Sequence, residues 1–79
     1  MKDKIMERYK NVGGDSGVTG FEIGKDFIKV WFNNNWYLYT YASAGSDNIE
    51  QMKKLAVAGN GLNSFINKYV RNDYESKGW

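Results

Sequence analysis

The sequence predicts an α+β fold: a three-stranded antiparallel meander followed by two helices packed on one face, in the order β-β-β-α-α. Three observations carry this. Apolar residues alternate with period two between Val18 and Tyr41, the spacing becomes helical after Gly45, and the stretch between, Ala42-Ser43-Ala44-Gly45, belongs to neither pattern. With 79 residues the chain is one small domain, since so short a chain buries only about 60% of its unfolded surface and cannot support a second core.

The N-terminal stretch Met1 to Lys10 has Ile5, Met6 and Tyr9 at helical spacing, which predicts a turn or two of helix without a convincing cap. Asn11-Val12-Gly13-Gly14-Asp15-Ser16-Gly17 is loop chemistry, so residues 1–15 read as a flexible or partly helical segment and the folded unit as 16–74. Thr19, Phe21 and Ile23 share one face of a first strand, and Gly24-Lys25-Asp26 turns the chain. Phe27-Ile28-Lys29-Val30-Trp31-Phe32 is the central strand by its β-branched and aromatic content. Asn33-Asn34-Asn35 turns again, because asparagine tolerates left-handed backbone angles, and Trp36 to Tyr41 makes the third strand.

Asp47 and Glu50 match a helix-start box, with Ile49, Met52, Leu55 and Ala56 on one helical face and Glu50, Lys53 and Lys54 toward water. That helix should stop at Gly59. Asn60 can cap a second one, in which Leu62, Phe65, Ile66, Tyr69 and Val70 form an apolar stripe. Residues 75–79 read as a polar tail.

Composition limits the chemistry. There is no cysteine and no histidine, so no disulfide or thiolate and none of the commonest metal ligand. No apolar run approaches a membrane span, and the first residues lack a signal peptide's apolar stretch, which predicts a cytoplasmic protein with no membrane partner. A net charge of +2 is too small to hold duplex DNA by phosphate neutralisation, so any nucleic-acid role must lean on stacking. Asp15 with Ser16, and Asp47 with Glu50, are the acidic groupings worth testing as a site, and both read better as loop and cap than as catalysts. Gly13, Gly14 and Gly17 lack the Lys-Ser/Thr ending of a phosphate loop. No enzyme, cofactor or metal is expected.

The segment from Trp31 to Tyr41 holds six of the chain's thirteen aromatic residues around three asparagines, and its meaning depends on register. A three-residue loop sets Phe32 opposite Trp36. One face then carries Ile28, Val30, Phe32, Trp36 and Leu38 as a core floor, and the other presents Phe27, Lys29 and Trp31 across from Tyr41, Tyr39 and Tyr37 as an open stacking platform. A loop longer or shorter by one residue instead turns Tyr37, Tyr39 and Tyr41 toward the helices. Both remain open from the sequence. On the open-face reading, Lys29, Trp31, Tyr37, Tyr39 and Tyr41 are the candidate binding residues. Asn63 joins them because an asparagine inside a helix must cap, bond the sheet or read a ligand. Lys53, Lys54, Lys68 and Arg71 read by default as solvated charges.

These residues resemble the KTSC domain, a short module found alone in small bacterial and phage proteins and at the C-terminus of some lysyl-tRNA synthetases. Ile28-Lys29-Val30-Trp31-Phe32 is similar to its hydrophobic strand, and Tyr37-Leu38-Tyr39 or Tyr39-Thr40-Tyr41 to its central Tyr-x-Tyr. Ala56, Gly59, Leu62-Asn63 and Ile66 resemble its helical elements, with Tyr74 as the closing tyrosine, so the likeness spans about residues 16–74. The family's Val-Pro after the tyrosines is replaced here by Ala42-Ser43-Ala44-Gly45, and its serine between alanine and glycine by Val57-Ala58. The resemblance implies RNA binding without catalysis. The expected function is therefore a small non-enzymatic module binding single-stranded RNA or tRNA, with a protein partner, in a phage or mobile-element setting, as the alternative for the same aromatic surface.

Overall fold

The computed structural model describes residues 7–12, 17–33 and 35–78. It is a small α+β domain whose antiparallel sheet has five strands rather than three. In chain order these are β1 (Glu7–Arg8), β2 (Gly20–Ile23), β3 (Phe27–Phe32), β4 (Asn35–Thr40) and β5 (Ser76–Gly78), each paired with the next. Between β4 and β5 come α1 (Tyr41–Ala44), α2 (Ser46–Ala58), α3 (Leu62–Phe65) and a π-helical turn (Ile66–Val70).

The two added strands correct the sequence reading at both ends. Glu7 pairs with Phe21 and Arg8 with Gly20, where a helical turn was expected; residues 1–6 of that segment, and 13–16 of the glycine loop, lie outside the described residues. Leu38, Tyr37 and Trp36 pair with Ser76, Lys77 and Gly78, where a tail was expected. The sheet thus extends outside residues 16–74. Strands of two and three residues are too short to show a period of two, but they satisfy backbone groups that β2 and β4 would otherwise leave unpaired.

The central hairpin takes the two-residue register. Phe32 pairs with Asn35 and Val30 with Tyr37, with Asn33 in the turn at φ 61°. Asparagine suits that left-handed angle, and two-residue loops are the commonest hairpin connection. Consequently Tyr37 and Tyr39 join Phe21, Ile28 and Val30 on the helix-covered face. Lys29 and Trp31 lie on the opposite face with Trp36 and Leu38.

β4 ends one residue earlier than expected. The Thr40 hydroxyl accepts from the Ser43 N–H at 3.0 Å and the Ser43 hydroxyl accepts from the Thr40 N–H at 3.1 Å, a reciprocal cap that starts α1 at Tyr41. Asp47 lies in the first turn of α2, and no side chain caps that helix, so the expected Asp47–Glu50 box is not formed. α2 stops at Gly59 as the sequence predicts: Gly59 is left-handed at φ 75° and donates to the Leu55 and Ala56 carbonyls. Nor does Asn60 cap the next helix. The first N–H of α3, at Leu62, donates to the buried Tyr9 hydroxyl at 3.2 Å, so a residue beside β1 supplies the acceptor.

The core lies between the sheet and the helices. Ile28, Val30 and Tyr39 from the sheet meet Ile49, Met52 and Ala56 from α2 and Leu62, Ile66 and Val70 from the last helical segment. Each such aliphatic side chain contributes about 1.5–3 kcal/mol by leaving water. In an α-helix a step of four residues overshoots a full turn, whereas in the wider i→i+5 π turn it falls short. Joining the two keeps Leu62, Ile66 and Val70 on one line in the core. It also carries Tyr69, expected on the apolar stripe, out to 54% exposure. The same phase keeps Asn63, Asn67 and Arg71, each one position on, together along the flank.

Candidate functional site

Two surfaces are built from the sheet. On the face without helices, Lys29 Nζ sits 4.2 Å from the Trp36 ring centre and 5.0 Å from that of Trp31. Glycine lets the large rings there lie flat: a Cβ on Gly78 would stand 2.5 Å from the Trp36 indole, and one on Gly24 would overlap the Phe27 ring. These half-buried residues therefore hold one another. The contact of Lys29 with the indoles, worth about 0.5–1 kcal/mol at an exposed site, competes with anything that would stack there.

The second surface is a groove of about 440 Å³ between β4–β5 and the last helical segment. Its floor is aromatic. Tyr37 meets Tyr74 edge-on at 5.1 Å and Phe32 at 5.7 Å, and it stacks on Tyr39 at 6.5 Å. Tyr74 is held there by the backbone on both sides, with Asp73 N–H donating to the Val70 carbonyl at 2.8 Å and Glu75 N–H to the Leu38 carbonyl at 2.6 Å. Pairing of Lys77 with Tyr37 puts both on the groove side of the sheet.

Polar groups line the rest: Asn35, Asn63, Asn67 and Asn72, with Arg71 and Lys77 as the cations and, among the described residues, no carboxylate. Asp73 is near enough to act on Tyr39 electrostatically but does not line the groove. Among the described residues, none of these amides and neither cation makes a side-chain hydrogen bond or ion pair; the one ion pair joins Lys53 to Glu50. Arg71 follows the last helical turn, where a cation also complements the helix dipole by about 0.3–1 kcal/mol.

Tyr39 is the most informative member. It is 1% exposed and among the largest fully buried side chains, yet its hydroxyl bonds to no other described residue. Among the described residues no buried side-chain oxygen or nitrogen lacks a partner, so this hydroxyl is not sealed off, and Tyr39 lines the groove. Burial above all, then the nearby Tyr37, Tyr74 and Asp73, push the phenol far above its ordinary value. It therefore remains a neutral donor at the base of the groove.

Of the six residues singled out from the sequence, Tyr37, Tyr39 and Asn63 come together in this groove. Lys29 and Trp31 are on the other side of the sheet because the loop has two residues and not three. Tyr41 belongs to neither. It stands on α1, 38% exposed, and its hydroxyl donates to Glu50 Oε2 at 2.6 Å, which raises the phenol's pKa. Lys53 also donates to Glu50, at 2.9 Å, and is the larger cause that lowers the carboxylate's pKa. Lys53 further donates to the Lys25 carbonyl at 2.9 Å, tying α2 to the β2–β3 turn. Sequence reasoning missed Asn35, Asn72 and Lys77 and left Arg71 as a solvated charge. For Lys77 the available signal was Gly78, the residue that makes room for a tryptophan.

No group of three or more acidic, histidine or cysteine side chains that could hold a metal ion occurs among the described residues. No helix there is long and apolar enough to cross a membrane. Comparison of the chain with family models, with curated proteins and with solved structures finds no match.

Proposed function

We propose that this chain is a small non-enzymatic binding module for single-stranded RNA, acting in the cytoplasm, and that the tyrosine–asparagine groove is its site. The observation that carries this is the combination, among the described residues, of an aromatic floor with unpartnered amides, two cations and no carboxylate. Unpaired RNA asks for those three things: a ring to stack on, amphoteric groups to read base edges, and positive charge for phosphate. The resemblance to the KTSC domain supports the same ligand class.

Titration of a fluorescently labelled single-stranded RNA tests the proposal. Stacking is worth about 1–3 kcal/mol per base, so Tyr37→Ala should weaken binding about 5- to 150-fold, while Trp31→Ala on the opposite face changes it little. With two groove cations the slope of log K against log salt should be near about −1.4, from roughly −0.7 per neutralised phosphate. Absence of binding by the unmodified chain at low salt would refute it.

A second reading, a protein partner, is favoured by the other sheet face, where Phe27, Trp31, Trp36 and Leu38 are only half-buried. Aromatic residues commonly anchor such contacts. A molar mass that rises with concentration in light scattering and stops rising in Trp36→Ala, without RNA affinity, would select it.

A further inference from the structure

We infer that the groove's unit of recognition is a single phosphate-bearing nucleotide, its phosphate between Arg71 and Lys77 and its base against Tyr37 and Tyr74 within reach of the Asn63 and Asn67 amides. This rests on the binding reading above and narrows it from a strand to one nucleotide. Volume is the first argument. About 440 Å³ lies near the small end of ligand pockets and is enough for one nucleotide.

Polarity is the second. Arg71 follows the π turn and Lys77 lies on β5, so two separate elements bring cations to one groove, and no described lining carboxylate neutralises either. Third is the nearly buried Tyr39 hydroxyl. As a neutral phenol with no partner among the described residues, it offers a donor at the floor, and an acceptor on the ligand completes it. Asn63 and Asn67, one turn apart on the same flank, present both donors and acceptors, as base edges require.

The experiment is a set of NMR titrations of the full isotope-labelled chain with adenosine, the four nucleoside 5′-monophosphates and a short single-stranded RNA. The monophosphates should bind at least tenfold tighter than adenosine, with shifts at Tyr37, Asn63, Tyr74 and Lys77. Arg71→Gln should remove that preference while moving the thermal unfolding midpoint by only a few degrees, because Arg71 is exposed and only its helix-end charge is lost. Equal affinity for nucleoside and monophosphate, or shifts centred on Trp31 and Trp36, overturns the inference. If RNA binds and the monophosphates do not, the single-nucleotide site falls and the RNA reading stands. If monophosphates bind and RNA does not, the site stands as one for free nucleotides and the RNA reading falls. Silence from both removes the two together.

Discussion

Tyr39→Phe separates two states that look alike at neutral pH. The substitution removes a hydroxyl that bonds no other described residue and keeps the ring that fills the core, so at pH 7 it should change unfolding free energy by less than about 0.5 kcal/mol. Alkaline pH changes this. An unfolded tyrosine ionises near its ordinary pKa of about 10, while the folded Tyr39 resists because burial opposes the phenolate. With the folded pKa raised, its contribution is complete below about pH 10 and is lost as pH rises toward the folded value. One pKa unit corresponds to about 1.4 kcal/mol, so by pH 11.5 the wild type should have lost about 2 kcal/mol that the phenylalanine variant keeps. That is a large fraction of a small domain's stability, which is about 0.05–0.15 kcal/mol per residue. Urea unfolding followed by circular dichroism at pH 7, 9.5 and 11.5 measures the difference directly. A difference between the two proteins that stays constant within about 0.5 kcal/mol over this range would mean Tyr39 is not buried, and the two-residue register would fall with it.

Tyr9→Phe leaves the Leu62 N–H without its buried acceptor and should cost about 1–3 kcal/mol in urea unfolding; a loss under about 0.5 kcal/mol would show that water replaces the phenol. Gly78→Ala places a methyl group where the Trp36 indole now lies, so the ring should lift and tryptophan emission shift to the red, with an unchanged spectrum counting against the pairing of β5 with β4. Inserting one residue between Asn33 and Asn35 forces Tyr37 and Tyr39 off the core face, so cooperative thermal unfolding should disappear; survival of a sharp transition would show that the loop absorbs the extra residue.

Much of the frame was legible. Alternation defined the three middle strands, and Gly59 ended α2 because a left-handed residue is needed there. What the sequence left open was settled by interactions between distant residues. The hairpin register turns on one residue of loop length, and composition cannot choose when three asparagines are offered. Tyr41 left the strand because Ser43, and not an acidic residue, completes the cap with Thr40. Tyr69 left the core because a π turn changes helical phase, and nothing in Ile66 to Val70 announces one. The site divided in the same way. Tyr37, Tyr39 and Asn63 were singled out from aromatic supply and an asparagine inside a helix, the two tyrosines on an open-face register that the strand pairing does not take. Lys77 and Asn72 lie past the helical pattern, where no periodicity ranks one polar residue above another.

β5 has a further consequence, concerning time rather than shape. A three-residue edge strand with exposed Ser76 and Lys77 belongs to the class of elements that detach by local opening, at a free-energy cost below that of global unfolding. Lys77 would leave the groove, while the core formed by Ile28, Met52 and Val70 stays intact. Occupancy of the groove then becomes a reporter on that one opening equilibrium: amide exchange at residues 76–78 would slow with ligand while exchange in β3 stayed the same.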